Sequence, residues 1–174
     1  MPFDSNMFDA AYAIEATCHA PDLEPVYGQV FRTIKPGSLF ASYEWLLTPK
    51  YDSKNKEHVE IINSICHGNA LPELRTAQRC EEAAKKVGFE IVESRDMALE
   101  PCKFPWWKRL QRSSFEYAIN NFILWALSLL RLAPKGTLEV HDMLVQVAKS
   151  LDKSGRLGIF TPMHLIVMRK PNDA

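Results

Sequence analysis

The chain has 174 residues, 47% hydrophobic and 24% charged, with 21 Lys+Arg against 21 Asp+Glu. That is enough for one globular domain with a substantial core, and the zero net charge gives no global argument for nucleic acid. The four cysteines, Cys18, Cys66, Cys80 and Cys102, lack metal-ligand or CxxC spacing, so neither a zinc site nor a redox centre is expected, and scattered thiols fit a reducing compartment. The balance hides an asymmetry: Met1 to Cys66 carries nine acidic and five basic residues, Lys103 to Lys135 six basic and one acidic. Met1-Pro-Phe-Asp-Ser does not open a signal peptide, and no segment is uniformly apolar for the roughly 20 residues of a bilayer span.

Phe8 to Ile14 reads as a strand that ends at Glu15 and opens into a polar, ionisable loop. Open α/β sheets hold ligands outside the carboxyl ends of their strands. Asp22 predicts an N-cap with Pro25 tolerated in the first turn. Leu23, Val26, Tyr27, Val30, Phe31 and Ile34 then form one apolar helix face, stopped by Lys35-Pro-Gly37. Leu39 to Trp45 reads as a second strand, completing a parallel βαβ crossover. A short helix is expected near Lys56 to Ile65. A better one spans Leu74 to Val87, where Glu81 and Glu82 precede Lys85 and Lys86 by four residues and Gly88 ends the helix. Phe89 to Glu93 reads as a third strand and His164 to Arg169 as the last. The insertion between them predicts a helix from about Trp106 to Leu132, a break at Ala133-Pro-Lys-Gly136, and a second amphipathic helix after Thr137. Val140, Leu144, Val147 and Leu151 share one face of that second helix, and Gly155 closes it.

Three segments could carry chemistry. Glu15 stands at a strand's carboxyl end, where a carboxylate can act as a base or hold a cation, and Asp and Glu are rarely buried without a reason. Cys18 beside His19 suggests a thiolate–imidazole pair, but catalytic Cys–His pairs meet across a fold rather than along the chain. The plainer reading packs Cys18 as a small apolar group and lets His19 hydrogen-bond the loop. In the second strand, Tyr43-Glu44-Trp45 sets a carboxylate between two rings, a chemistry that favours cations, although core aromatics wrapping a strand end are common. Two neighbouring parallel strands would then present an acid at one sheet edge. Lastly, Phe104-Pro-Trp-Trp-Lys-Arg-Leu110 with Arg112, leading into Phe122 to Leu130, suits either a membrane interface or a core helix in an oligomer contact.

Tyr12-Ala-Ile-Glu-Ala-Thr-Cys-His-Ala-Pro21, Tyr43-Glu-Trp45, Ala133-Pro-Lys-Gly136, Phe160-Thr-Pro-Met-His164 and Met168-Arg-Lys-Pro171 together resemble the sterol 24-C-methyltransferases, over Phe8 to Pro171. The resemblance implies an α/β fold: the C-terminal part of a Rossmann-like class I methyltransferase sheet, with a helical insertion before the last strand. It implies methyl transfer from S-adenosylmethionine to a sterol side-chain double bond, through a carbocation quenched by a hydride shift and proton loss. By the same resemblance, the catalytic candidates are Glu15, His19 and Glu44. Tyr12, Cys18, Tyr43 and Trp45 would line the sterol pocket, Glu15 and Ala16 would meet the cosubstrate, and no metal is expected. It also implies an endoplasmic-reticulum or lipid-associated location on the cytosolic face, peripheral membrane contact through 104–130 and homo-oligomers.

The glycine-rich cofactor loop and the upstream aromatic sterol-binding region of that family have no counterpart among these residues. The expected organisation is a C-terminal half of the methyltransferase core over 1–102, the helical insertion over 103–156, and the last strand and tail over 157–174. The chain is expected to start at the family's fourth strand, as a fragment that neither binds S-adenosylmethionine well nor turns over sterol alone. It would leave the Phe8 to Ile14 strand at an open apolar edge. The alternatives are a non-catalytic lipid-binding or oligomerisation module, and a methyltransferase for another lipid, against which the Tyr12 to Pro21 motif argues.

Overall fold

The computed structural model describes residues 1–100, 104–111 and 113–173; Cys102, Lys103 and Arg112 lie outside them. Strand β1 (Phe8–Ile14) leads through a single 3-10 turn (Thr17–His19) into helix α1 (Leu23–Thr33), and the chain returns as β2 (Ile34–Leu47). β1 and β2 are parallel, as a strand–helix–strand crossover requires. Helix α2 (Lys56–Gly68), the two-residue strand β3 (Arg75–Thr76), α3 (Ala77–Val87), β4 (Glu90–Asp96), α4 (Ser114–Leu129), α5 (Thr137–Leu157) and β5 (Phe160–Arg169) follow. The sheet order is β1-β2-β5-β4, with β3 pairing β2. β5 runs antiparallel to both its neighbours, and the order leaves β1 at an edge among the described residues.

Alternation along β2 builds two layers. Phe40 and Leu46 face α1 and α3, packing with Tyr27, Val30, Cys80, Ala84, Phe89, Ile166 and Met168. Trp45 and Leu47 turn to the other face, against Ile61, Ile62 and Ile65 of α2, Leu151 of α5, Phe160 and Trp106. Period-2 side-chain direction against period-3.6 helix faces places both cores with no further assumption.

Several boundaries differ from the sequence expectation, each for a local reason. Lys35-Pro-Gly37 does not lie beyond the helix in a loop: β2 starts at Ile34, and Gly37 takes a left-handed φ of 80° inside the strand. The pairing is irregular there, between Phe8↔Ile34 and Ala10↔Leu39, so the glycine marks a bulge. α3 starts only at Ala77, because Arg75 and Thr76 pair with Leu46 and Leu47. The helix expected over Trp106 to Leu132 is two elements, a short 3-10 helix (Trp106–Leu110) and α4. Ser113 and Glu116 form a capping box that starts α4 afresh. Gly155 does not end α5, which continues to Leu157 and is capped by left-handed Gly158. Gly155 instead receives the indoles of Trp106 and Trp107, whose atoms lie 2.8–2.9 Å from where a Cβ would stand.

One buried cation ties the termini of the fold together. Lys170, only 4% exposed, donates to the backbone carbonyls of Phe31 (2.9 Å) and Ile34 (3.1 Å) and to Asn6 Oδ1 (2.7 Å). Its ammonium also sits 4.8 Å from the Phe31 ring centroid. The carboxyl end of a helix concentrates partial negative charge, so a lysine can be buried there with no carboxylate partner among the described residues.

Candidate functional site

The carboxyl ends of β1 and β2 lie side by side: Ile14 registers with Tyr43, and the Glu15 N–H donates to the Tyr43 carbonyl at 2.9 Å. Glu15 ends the strand with a left-handed φ of 52°, uncommon for a residue with a side chain. It stands exposed with Ala16. Tyr12 and Ile14 are exposed too, because among the described residues β1 has no strand on its outer side.

The two acids expected at this edge are placed differently. Glu15 meets solvent, whereas Glu44 is 1% exposed. Its Oε1 accepts short hydrogen bonds from the hydroxyls of Thr17 and Ser42. Glu44 therefore lies beneath the 3-10 turn and does not face solvent beside Glu15. Cys18 and His19 diverge. Cys18 is buried against the α2 layer, and its thiol donates to the Glu15 carbonyl at 3.3 Å, while His19 is exposed. Burial first, then the carboxylates of Glu44 and Glu15, push the Cys18 thiol up to about 11, so at neutral pH it is a poor nucleophile. Trp45 packs edge-on against Phe160 at 5.4 Å, within the core.

Tyr43 shows what the edge offers electrostatically. Partial burial, then the carboxylates of Asp96, Glu15 and Glu100 in that order, hold its phenol above the ordinary tyrosine value. Glu100 is ion-paired with Arg95 at 2.6 Å, so the acidic character of the edge around the ring comes from Asp96 and Glu15. Asp96 and Glu100 escaped sequence reasoning because β4 was expected to end at Glu93. Three further residues of strand carry Asp96 to the cross-strand position opposite His164. Asp96 Oδ1 accepts from Thr161 (2.7 Å) and from the Ala98 N–H (2.9 Å). His164 hydrogen-bonds Ser94 at 3.0 Å, and burial draws its imidazole pKa down against the pull of Asp96. Among the described residues, no group of His, Cys, Asp and Glu could hold a metal ion.

An acidic, aromatic strand edge suits a cationic reagent such as a sulfonium. The exposed Glu15 carboxylate and the adjoining Ala16 backbone are the residues here that fit contact with it.

Comparison with known proteins agrees with the architecture. Residues 107–172 match the family model of the sterol methyltransferase C-terminal region, and residues 1–42 that of a methyltransferase domain. The chain is 52% identical over 173 residues to 24-methylenesterol C-methyltransferase 2 of Arabidopsis thaliana, covering 99% of this chain and 48% of that protein. It is 51% identical to 24-methylenesterol C-methyltransferase 2 of Oryza sativa subsp. japonica, covering 100% and 48%. The chain thus spans about half the length of the curated relatives it matches. Among solved structures, geranyl diphosphate C-methyltransferase from Streptomyces coelicolor superposes with a TM-score of 0.65 at 18% identity, over 98% of this chain and 51% of that one. At that identity the likeness is one of fold, the α/β sheet of Rossmann-like class I methyltransferases. Residues 107–172 thus belong to the sterol methyltransferase C-terminal family, and the whole chain matches the corresponding half of sterol methyltransferases.

Proposed function

We propose that these residues form the C-terminal part of an S-adenosylmethionine-dependent sterol C-24 methyltransferase. Glu15, Tyr43 and Tyr12 would face the reacting centre from the carboxyl ends of β1 and β2. One observation carries the reading: the half-buried Tyr43 phenol lies near the carboxylates of Asp96 and Glu15, with Glu100 held by Arg95 at 2.6 Å, which leaves a negative field around a polarisable ring. Such a field stabilises the positive charge that develops when a methyl group adds to an alkene. The cosubstrate supplies the methyl group. In this reading Glu15 is the catalytic acid-side group, Ala16 lends backbone next to the cosubstrate, and His19 stands at the mouth of the site. Cys18 and Trp45 act by packing behind it. A sterol is the substrate class favoured by the 52% identity to a 24-methylenesterol C-methyltransferase.

The test is a chimera in which residues 1–174 replace the matching segment of the Arabidopsis thaliana relative. The chimera is expected to methylate a 24-methylene sterol, and Glu15→Gln within it to lower turnover about a hundredfold while cosubstrate binding persists. A folded chimera that methylates no sterol, or a Glu15→Gln chimera of unchanged turnover, would sink the assignment.

A specific observation also favours membrane contact. Helix α4 is turned inside out: Tyr117, Asn120, Leu124 and Ser128 lie on its half-buried side, while Phe115 (72%), Phe122 (66%), Trp125 (52%) and Leu129 (67%) are exposed. Lys108, Arg109, Arg131 and Lys135 flank it, exposed, with Glu116 the one acid between them among the described residues. Large exposed apolar faces mark binding surfaces, and basic flanks suit an anionic bilayer. Trp106 and Trp107, in contrast, are half-buried against Phe160 and Gly155, so the contact belongs to α4 and not to the tryptophan pair. Among the described residues, no helix is long and apolar enough to cross a membrane. Flotation with anionic vesicles is expected to carry the chain, and Phe122→Ser with Trp125→Ser to reduce the floated fraction about tenfold or more. Undiminished flotation refutes the surface, and concentration-dependent dimers lost in the same variant would reassign it to a second copy.

A further inference from the structure

The proposed site needs Glu15, Cys18 and His19 held on a tight turn, yet those residues do little to hold themselves. Glu15 is at positive φ and exposed, the 3-10 turn is one turn long with no side-chain cap, and His19 points to solvent. Such a segment would sit at the low-stability end of a fold unless something beneath it fixed it. What lies beneath is Glu44. It is a carboxylate at 1% exposure that makes no ion pair among the described residues. An unpaired buried carboxylate is costly, and this one is tolerated because hydroxyls satisfy it. One hydroxyl, Ser42 Oγ, comes from its own strand. The other, Thr17 Oγ1, comes from the turn, and the two hydroxyls stand 3.5 Å apart.

Resting on the reading of this edge as the reaction site, we propose that Glu44 is a positioning residue: by accepting the Thr17 hydroxyl it clamps the 15–19 turn onto β2 and fixes where Glu15 and His19 stand. Arg75 completes the clamp from the far end. It is 5% exposed and donates at 2.7 Å to each of the carbonyls of Ala20 and Pro21. The turn is therefore tied at Thr17 and again at residues 20–21. A carboxylate suits the first tie better than a neutral acceptor, since hydrogen bonds to a charged group are about twice as strong.

The buried Cys18 thiol reports on the clamp without any substrate. The experiment measures maleimide labelling of the 174-residue chain at low protein concentration, resolved by peptide mass. Cys80 serves as an internal reference, since it is 2% exposed in the other core. Glu44→Gln and Thr17→Val are each expected to raise Cys18 labelling roughly tenfold or more, with Cys80 unchanged. Thr17→Val keeps the carboxylate, which separates release of the turn from loss of a neighbouring charge. Thr17→Ser, which keeps the hydroxyl, is expected to restore slow labelling. The double variant should add little to either single one, because both break one contact. Unchanged Cys18 labelling in Thr17→Val, fully multiplicative effects, or no rescue by Thr17→Ser overturns the proposal. So does labelling that rises equally at Cys80, which reports general loosening. Because the readout needs no methyl donor or sterol, an inactive chimera would refute the proposed reaction and leave the clamp standing. A failed clamp would leave the reaction standing.

Discussion

Replacing Lys170 by Met is expected to cost about 3 kcal/mol of folding stability and to lower the melting temperature by about 6–12 °C. All three ammonium protons are used, two on the last carbonyls around the end of α1 and one on the Asn6 side chain. Methionine keeps most of the volume of the stem and removes every donor. The buried Ile34 carbonyl, the part-buried Phe31 carbonyl and the Asn6 amide oxygen then lose their partner, and an unsatisfied buried acceptor costs more than the net value of the bond it lost. The contact also joins parts of the chain far apart in sequence, so local rearrangement cannot replace it. Asn6→Ala, which leaves the carbonyl bonds intact, should cost about 1 kcal/mol. The two losses should be less than additive, since they share one ammonium. Thermal or denaturant unfolding of the three variants measures this, and a melting temperature within 1–2 °C of the parent for Lys170→Met, against the ~6–12 °C drop expected, would refute it.

The second large effect is expected at Gly155. A Cβ there would lie 2.8 Å from Trp107 atoms and 2.9 Å from Trp106 Cζ2. The obstruction is a pair of indoles wedged between α5 and β5, with Trp106 packed edge-on against Phe160 at 5.7 Å. Neither ring can swing away cheaply. Gly155→Ala is expected to destabilise by about 2 kcal/mol, within the usual range for overpacking, although alanine is the better helix former by nearly 1 kcal/mol. Gly28→Ala in α1 is the control: nothing lies within 4 Å of its Cβ position, so helix propensity acts alone and the variant should gain up to about 1 kcal/mol. Opposite signs at two helical glycines are the expected outcome of paired melts. A stabilised Gly155→Ala would mean that the tryptophans do not rest on this helix.

The same two glycines show what a sequence can and cannot disclose. Apolar spacing was enough for β1, α1 and the parallel crossover, because those elements obey one period each. Gly155 looked like a helix stop because nothing in one dimension says that the distant Trp106–Trp107 pair needs room. The helix expected across Trp106 to Leu132 failed for a readable reason: Ser113 and Glu116 spell a capping box, overlooked beneath a longer apolar run. At the site, the residue types at the strand ends were legible, but their burial was not. Glu15 and Glu44 look equivalent in sequence, each just after an apolar stretch. What separates them is the backbone: Glu15 leaves β1 with a left-handed φ of 52° and meets water, whereas Glu44 stays within β2, beneath Thr17. Asp96 was missed because cross-strand placement depends on where β4 stops, and strand ends are weakly encoded.

The sheet order has a consequence for how the protein is made. β5, last in chain order among the described strands, lies between β2 and β4 and is antiparallel to both. Until residues 160–169 emerge, β4 has no neighbour in the sheet and β2 has only β1 and the two-residue β3. Between the emergence of β4 and that of β5 the nascent chain must therefore hold two incomplete strand edges, with pairings of long sequence separation still to form. Completion is a single late event in which ten residues slot in and Lys170 follows onto α1. A stop codon anywhere in that final stretch would take away the middle of the sheet, not its margin.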